Sequence, residues 1–114
     1  MRLRLYCDLY VSEHWQEKKL KIVKKLRRGR LQPQVYVLAL SQGMQNHLEF
    51  YSSAFLKQHF YDDSDVFVVG IADGREECLM MTEQIADKVY RETGGADLRN
   101  YILERQSEYE KTGR

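Results

Sequence analysis

Apolar and polar positions alternate along RLRLYCDLYV, residues 2–11, so that Leu3, Leu5, Cys7, Leu9 and Val11 share one side of an extended chain. Arg2, Arg4, Tyr6, Asp8 and Tyr10 take the other side. This predicts an amphipathic strand, placed at a sheet edge or covered on its second face by another element. From Glu13 to Arg28 the period lengthens. Trp15, Ile22, Val23 and Leu26 form a stripe at helical spacing, with Ser12 placed to cap the start and Gly29 to stop the end. QVYVLAL, residues 34–40, is apolar on both faces, as buried strands of a parallel sheet tend to be. SQGMQN then reads as a loop. HLEFYSSAFLKQHFY fits neither period and is assigned a short helix near His47–Tyr51, followed by an extended or irregular return.

DVFVVGIA carries the strongest strand signal, because Val66–Ala72 is continuously apolar and rich in β-branched residues. From Arg75 to about Thr93 the pattern is helical. Cys78, Met81, Thr82, Ile85, Ala86 and Val89 line one stripe, and Glu76, Glu83, Asp87 and Arg91 lie away from it. Gly94-Gly95 ends this helix, and Asp97 can cap another that packs Leu98, Tyr101 and Ile102. Apolar residues nearly vanish after Leu103, so residues 105–114 are expected to fray.

The alternation of strands and helices predicts an α/β fold of Rossmann-like character: a small open, mostly parallel three- to four-stranded sheet with flanking helices, as one domain over residues 1–104. With 114 residues, 31% charged and 43% apolar, the chain can bury a core without staples, and wholesale disorder is excluded. Cys7 and Cys78 have neither metal-ligand nor redox spacing and read as buried thiols in a reducing compartment. The charged N-terminus is unlike a signal peptide, and no apolar run is long enough to span a membrane. The expectation is a cytoplasmic protein without membrane association and without a cofactor.

If the strands are parallel, their carboxyl ends share one edge, the usual ligand position in open α/β sheets. The loops there would gather Ser12, His14, Ser41, Asn46, Asp73, Gly74 and Arg75, with Asp8 close by. The Asp73-Gly74 turn opens a helix whose first amides could hold a phosphate or carboxylate, with Arg75 adding positive charge. Against this, Asp73 could cap those amides itself, and Glu76 and Glu77 would repel an anion, so a tight capped turn is the plainer reading. No GxGxxG or GxxxxGK[ST] motif occurs. His14 with Ser41 and Asp8 or Asp73 could be read as a hydrolase set, but no GxSxG elbow supports it, and His14 suits a solvent-facing first turn. His14, His47 and His59 lack metal-ligand spacing, so no metal site is expected. Lys19 lies four residues from both Trp15 and Val23. It should cover Trp15 with its alkyl stem; near the strand ends it could instead pair with Asp8 or an anionic ligand.

The net charge of +1 conceals an asymmetry of +7 over residues 1–60 and −6 over residues 61–114. Residues 18–30, KKLKIVKKLRRGR, hold eight basic residues and no acid. Lys21, Lys24, Lys25 and Arg28 lie opposite Ile22 and Leu26, a stripe that could follow phosphates. No nucleic-acid fold signature accompanies it and no aromatics are interleaved, so a solvated face, neutralised by the acidic half within the domain or across a dimer, is favoured over nucleic acid. Eight tyrosines and an outward Met80 suggest self-association, as a homodimer.

The stretch VVGIADGREECLMMTEQIADKVYRETGGADLRNYI, residues 68–102, resembles the C-terminal half of short uncharacterised bacterial proteins found mainly among anaerobic Firmicutes. The shared features are the strand–Gly-Ile-Ala-x-Gly–helix unit and the Glu-Thr-Gly-Gly-x-Asp-Leu/Val-Arg break; LYCDLYV near the start fits the same likeness. The resemblance implies a small stand-alone bacterial domain. No activity is assigned in that family, so no functional residue carries over. The expected function is therefore a non-enzymatic binding or interaction module. The alternatives are a small enzyme acting on an anionic or phosphorylated substrate through Asp8, His14, Ser41, Asp73 and Arg75, and nucleic-acid binding through the helix within residues 18–30.

Overall fold

The structure, a computed structural model, describes residues 2–30, 32–41, 47–59 and 65–114. The chain runs β1 (Arg2–Val11), a 3-10 turn (Glu13–Trp15), α1 (Lys19–Arg27), β2 (Val35–Leu40), β3 (Leu48–Ser52), α2 (Ser53–His59), β4 (Asp65–Asp73), α3 (Arg75–Thr93) and α4 (Leu98–Thr112). The four strands form one open sheet in the order β1-β4-β2-β3. Helices cover both faces, and two cores result. Ile22, Val23 and Leu26 of α1 and Leu56 of α2 pack on Val35, Val37, Val66 and Val68. Cys78, Met81, Ile85 and Val89 of α3 and Ile102 of α4 pack on Tyr6, Leu38, Leu40 and Val69. Among the described residues, no helix is long and apolar enough to cross a membrane.

The sheet is mixed rather than mostly parallel. β1 and β4 are parallel, whereas β2 is antiparallel to both β4 and β3. Apolarity on both faces of QVYVLAL reports that β2 is covered on both sides, and it carries no information about direction. Nine residues of α1 rise only about 13 Å, and the seven residues 28–34 can span up to roughly 23 Å. These lengths let the chain fold back to the end of the sheet it left, and β2 starts beside the end of β4, with Val35 opposite Asp73. The true crossover is β3–α2–β4, which connects two strands pointing the same way across β2.

Two further expectations change. Leu48–Ser52 is a strand and Ser53–His59 a helix, the reverse of the order assigned to this segment. An edge strand with all five residues half-buried shows no clean two-residue alternation, which hides it. The first helix is also shorter than expected, because Glu13–Trp15 forms a 3-10 turn and α1 starts only at Lys19. Ser12 makes no cap there, since its hydroxyl is engaged elsewhere.

By contrast, α3 spans Arg75–Thr93 as its pattern predicts, and Gly94 stops it with φ +75°. The Asp97 carboxylate accepts the Asn100 amide at 3.0 Å and caps α4. That helix continues past Arg105 to Thr112 although its apolar stripe has ended. Polar anchors replace it. Gln106 is buried and its amide oxygen accepts the Cys7 backbone N–H at 2.7 Å. Arg105 donates to Asp8 at 2.8 Å.

Both anchors meet β1 where it bulges. Leu5 pairs with Val68 but Tyr10 with Gly70, so residues 6–9 leave the ladder. Tyr6, Cys7 and Tyr10 join the α3–α4 core while Leu5, Leu9 and Val11 join the α1 core. The sequence places β1 at an edge or under a cover; it has both, lying at the sheet edge with α4 over its bulge. Burial pushes the thiol of Cys78 up to about 12, with Glu77 adding to it, and burial raises that of Cys7 as well, so both are poor nucleophiles at neutral pH.

Candidate functional sites

The carboxyl ends of β1 and β4 meet the start of α3, and Ser12 joins them. It is buried, its N–H donates to the Ile71 carbonyl at 3.0 Å, and its hydroxyl accepts the Asp73 N–H at 2.8 Å. The same hydroxyl donates to Glu77 Oε1. Ser12 thus ties β1, β4 and α3 together and fixes the Glu77 carboxylate. His14 follows on the 3-10 turn. One ligand atom each from His14, Asp73 and Glu77 lie within 4.8 Å of one another. His14 and Glu77 also line a cavity of about 380 Å³ with Ser12, Met80 and Gln84. A site with two carboxylates and an imidazole attracts cations and repels phosphate.

The Asp-Gly turn is arranged accordingly. Gly74 lies at φ +88°, and its N–H donates to the Gln34 carbonyl at 2.8 Å rather than facing solvent. Asp73 does not cap α3, whose first turn has no side-chain cap. The Arg75 guanidinium lies over the Phe50 ring, 5.5 Å from its centroid, and is directed toward β3. The turn is a corner held by β2, with its one cation used in packing.

The remaining residues expected at this edge lie elsewhere. Ser41 directly follows β2 at the opposite end of the sheet, because β2 runs the other way. There it is buried, its hydroxyl donates to Glu49 at 3.0 Å, and its carbonyl accepts from Arg99 of α4. Asp8 faces α4 and pairs with Arg105. Asn46 falls outside the described residues. Lys19 is the half-buried first residue of α1, on the stripe its spacing gives. Of the expected set, only Ser12, His14, Asp73 and Gly74 converge, and Glu77 joins them. Glu77 has a detectable signal: it sits four residues before buried Met81, a charge bordering the apolar stripe of α3.

A second concave surface lies along α1. Lys18, Lys21 and Lys25 line a groove of about 280 Å³ with Trp15, Pro33 and Val35. Its floor is held by Gln32, which is buried and bonded on three sides. Its backbone N–H donates to Ser53 Oγ at 3.1 Å, its carbonyl accepts from the same hydroxyl at 2.7 Å, and its side-chain amide donates to the Ile22 carbonyl at 3.2 Å. Lys24 and Arg28 are exposed and continue the positive surface on the adjoining side of the helix, by its 100° per-residue rotation. Among the described residues no ion pair involves these five cations. Sequence spacing interleaves no aromatic with the charges. Trp15 precedes them by a turn, and the 3-10 segment swings it alongside.

In comparison with known proteins, no protein-family model matches the chain, and neither a curated protein nor a solved structure matches it.

Proposed function

We propose that the chain is a non-enzymatic binding module whose ligand is a single-stranded nucleic acid, taken up along α1. The supporting observation is the groove in which Trp15 lies beside Lys18, Lys21 and Lys25, extended by Lys24 and Arg28. A positive groove that follows a backbone, joined to an aromatic ring for a base, suits single strands of any sequence. The hydrolytic alternative loses support because Asp8, Ser41 and Arg75 point to three different places. The acidic cluster at the β1–β4 end is no match for an anionic substrate.

Trp15 is the single tryptophan, so its fluorescence reports this groove directly. Titration with a short deoxythymidine oligonucleotide should quench it. The binding constant should fall with salt at a log–log slope of roughly −2 to −3.5, as expected for about three to five phosphate contacts. Lys21→Glu with Lys25→Glu should weaken binding at least about tenfold, and Trp15→Ala should remove about 1–3 kcal/mol of stacking. An unquenched Trp15 at low salt, or an affinity indifferent to salt, would refute the assignment.

We also propose self-association through the outer face of α3, where Tyr90 is 66% exposed and Met80 57%, with Leu79 also exposed on the same helix. Light scattering at high concentration should give twice the monomer mass, and Tyr90→Lys should lower it. A purely monomeric mass for the unaltered protein would end that reading.

A further inference from the structure

We propose that His14, Asp73 and Glu77 hold a divalent transition-metal ion of the zinc or manganese class, at a site separate from the α1 groove. The three donors come from three elements that the sheet brings together: the turn after β1, the last residue of β4 and the first turn of α3. Two ligand atoms that share an ion at about 2.0–2.2 Å can be at most about 4.4 Å apart. A mutual separation within 4.8 Å therefore needs only a small side-chain rotation to close on one ion.

Four observations favour a cation over an idle acidic surface. First, the set is mixed: an imidazole with two carboxylates is a borderline donor set, suited to zinc or manganese better than to magnesium or calcium, which take oxygen ligands. Second, Glu77 is held by a buried group. Ser12 is 3% exposed and donates to one carboxylate oxygen while its own oxygen is fixed by the Asp73 N–H, the outer-shell arrangement that orients a metal ligand. Third, the local cation is used elsewhere. Arg75 stacks on Phe50, and among the described residues no Lys or Arg pairs with Asp73 or Glu77. The two carboxylates thus lie together with the imidazole and with no Lys or Arg ion pair among the described residues. Fourth, Asp73 is not used as a helix cap: Gly74 holds the N-cap position of α3, and no side chain caps its first turn. The adjoining cavity of about 380 Å³ leaves room for water or a small ligand to complete the coordination. Three protein ligands with an open side is the pattern of accessible, rather than purely structural, zinc sites. The sequence conceals the set, because His14 stands far from Asp73 and Glu77 along the chain.

The test uses tag-free, chelator-treated protein. Titration with Co²⁺, followed by visible d–d absorption, and with Zn²⁺ and Mn²⁺, followed by calorimetry, should show one saturable equivalent. His14→Ala and Glu77→Gln should each weaken binding at least about tenfold, and Ser12→Ala by about tenfold through misplacement of Glu77. His47→Ala, remote from the cluster, should leave binding unchanged. His14 is exposed, and the amide oxygen introduced by Glu77→Gln would still accept from Ser12, so these variants keep the fold, which circular dichroism checks. Absence of saturable binding up to about 1 mM of all three metals would overturn the proposal, at an affinity too weak for a three-ligand site. So would binding that survives His14→Ala combined with Glu77→Gln, or that is lost in His47→Ala.

Discussion

Ile102→Ala is expected to destabilise the protein by about 2–5 kcal/mol, the usual cost of emptying a fully buried branched site. Ile102 is 1% exposed and packs among Tyr6, Leu38, Ile85 and Val89. It is the main apolar anchor of α4, because Leu98 and Tyr101 are only half-buried and the stripe ends soon after. The loss should therefore be uneven. Amides of α4 from Leu98 to Thr112 should lose hydrogen-exchange protection before those of β2 and β4. Chemical denaturation gives the total and exchange gives the distribution. A cost under about 0.5 kcal/mol, the range of ordinary surface changes, would mean that α4 is not docked on this core. The polar anchors would then have to carry the helix. They cannot easily do so, since a hydrogen bond such as that from Cys7 to Gln106 contributes only about 0.5–1.5 kcal/mol net.

Gly70→Val has the second largest expected effect, and two forces oppose each other in it. Valine favours strands over glycine by up to about 1 kcal/mol, so local preference predicts stabilisation of β4. Packing predicts the opposite. A Cβ at position 70 would lie 3.1 Å from Met81 Sδ and 3.3 Å from both Cβ and the carbonyl oxygen of Tyr10. Met81 can rotate, but the Tyr10 carbonyl is backbone and moves only with β1. Overpacking of this kind costs about 1–3 kcal/mol and more for a branched side chain, which outweighs the propensity gain. The net result should be a loss of about 2 kcal/mol or more, read as a lower denaturation midpoint with an unchanged slope. Measured against Met81→Ala alone, which has its own cavity cost, Gly70→Val should still lose most of this stability, because only the sulfur contact is relieved. Stabilisation by Gly70→Val would show that β1 lies farther from β4 than the register places it.

Gly70 illustrates what the sequence conceals. In the sequence it is one unremarked residue of an apolar run, yet it sits inside β4 where the register slips. Val69 joins the α3–α4 core, and Ile71 the opposite core. β2 matches the irregularity, with Leu38 opposite Gly70 and Ala39 opposite Val68. The β1 bulge has the same character. A uniform alternation through Val11 puts Cys7 with Leu5 and Leu9, whereas Cys7 packs with Tyr6 on the other face. Bulges reverse facing without changing composition, so periodicity alone does not reveal them.

The candidate sites divide in the same way. Their members are visible as residue types: Ser12, His14 and Asp73 at one turn, the lysines of α1 along another. Ser41 falls with the first group only if β2 is parallel, and the antiparallel strand moves it to the far end. In the sequence Glu77 is only a repelling charge at the turn; in the fold it is a partner of Ser12. Trp15 reads as a core residue, and it also borders the lysines.

By itself the sequence determined the elements whose patterns repeat over many residues: β4, α3 with its Gly94 stop, and the capped start of α4. It also determined the layering, because strands apolar on both faces require cover on both. Each of those properties depends on neighbours within about two turns of chain, which the sequence lists in order. Strand direction, the bulges, and the meeting of His14 with Asp73 and Glu77 depend on residues distant along the chain. They were decided only when helix lengths, return loops and core packing were satisfied together. No local pattern carries that information, since the same apolar strand buries equally well pointing either way.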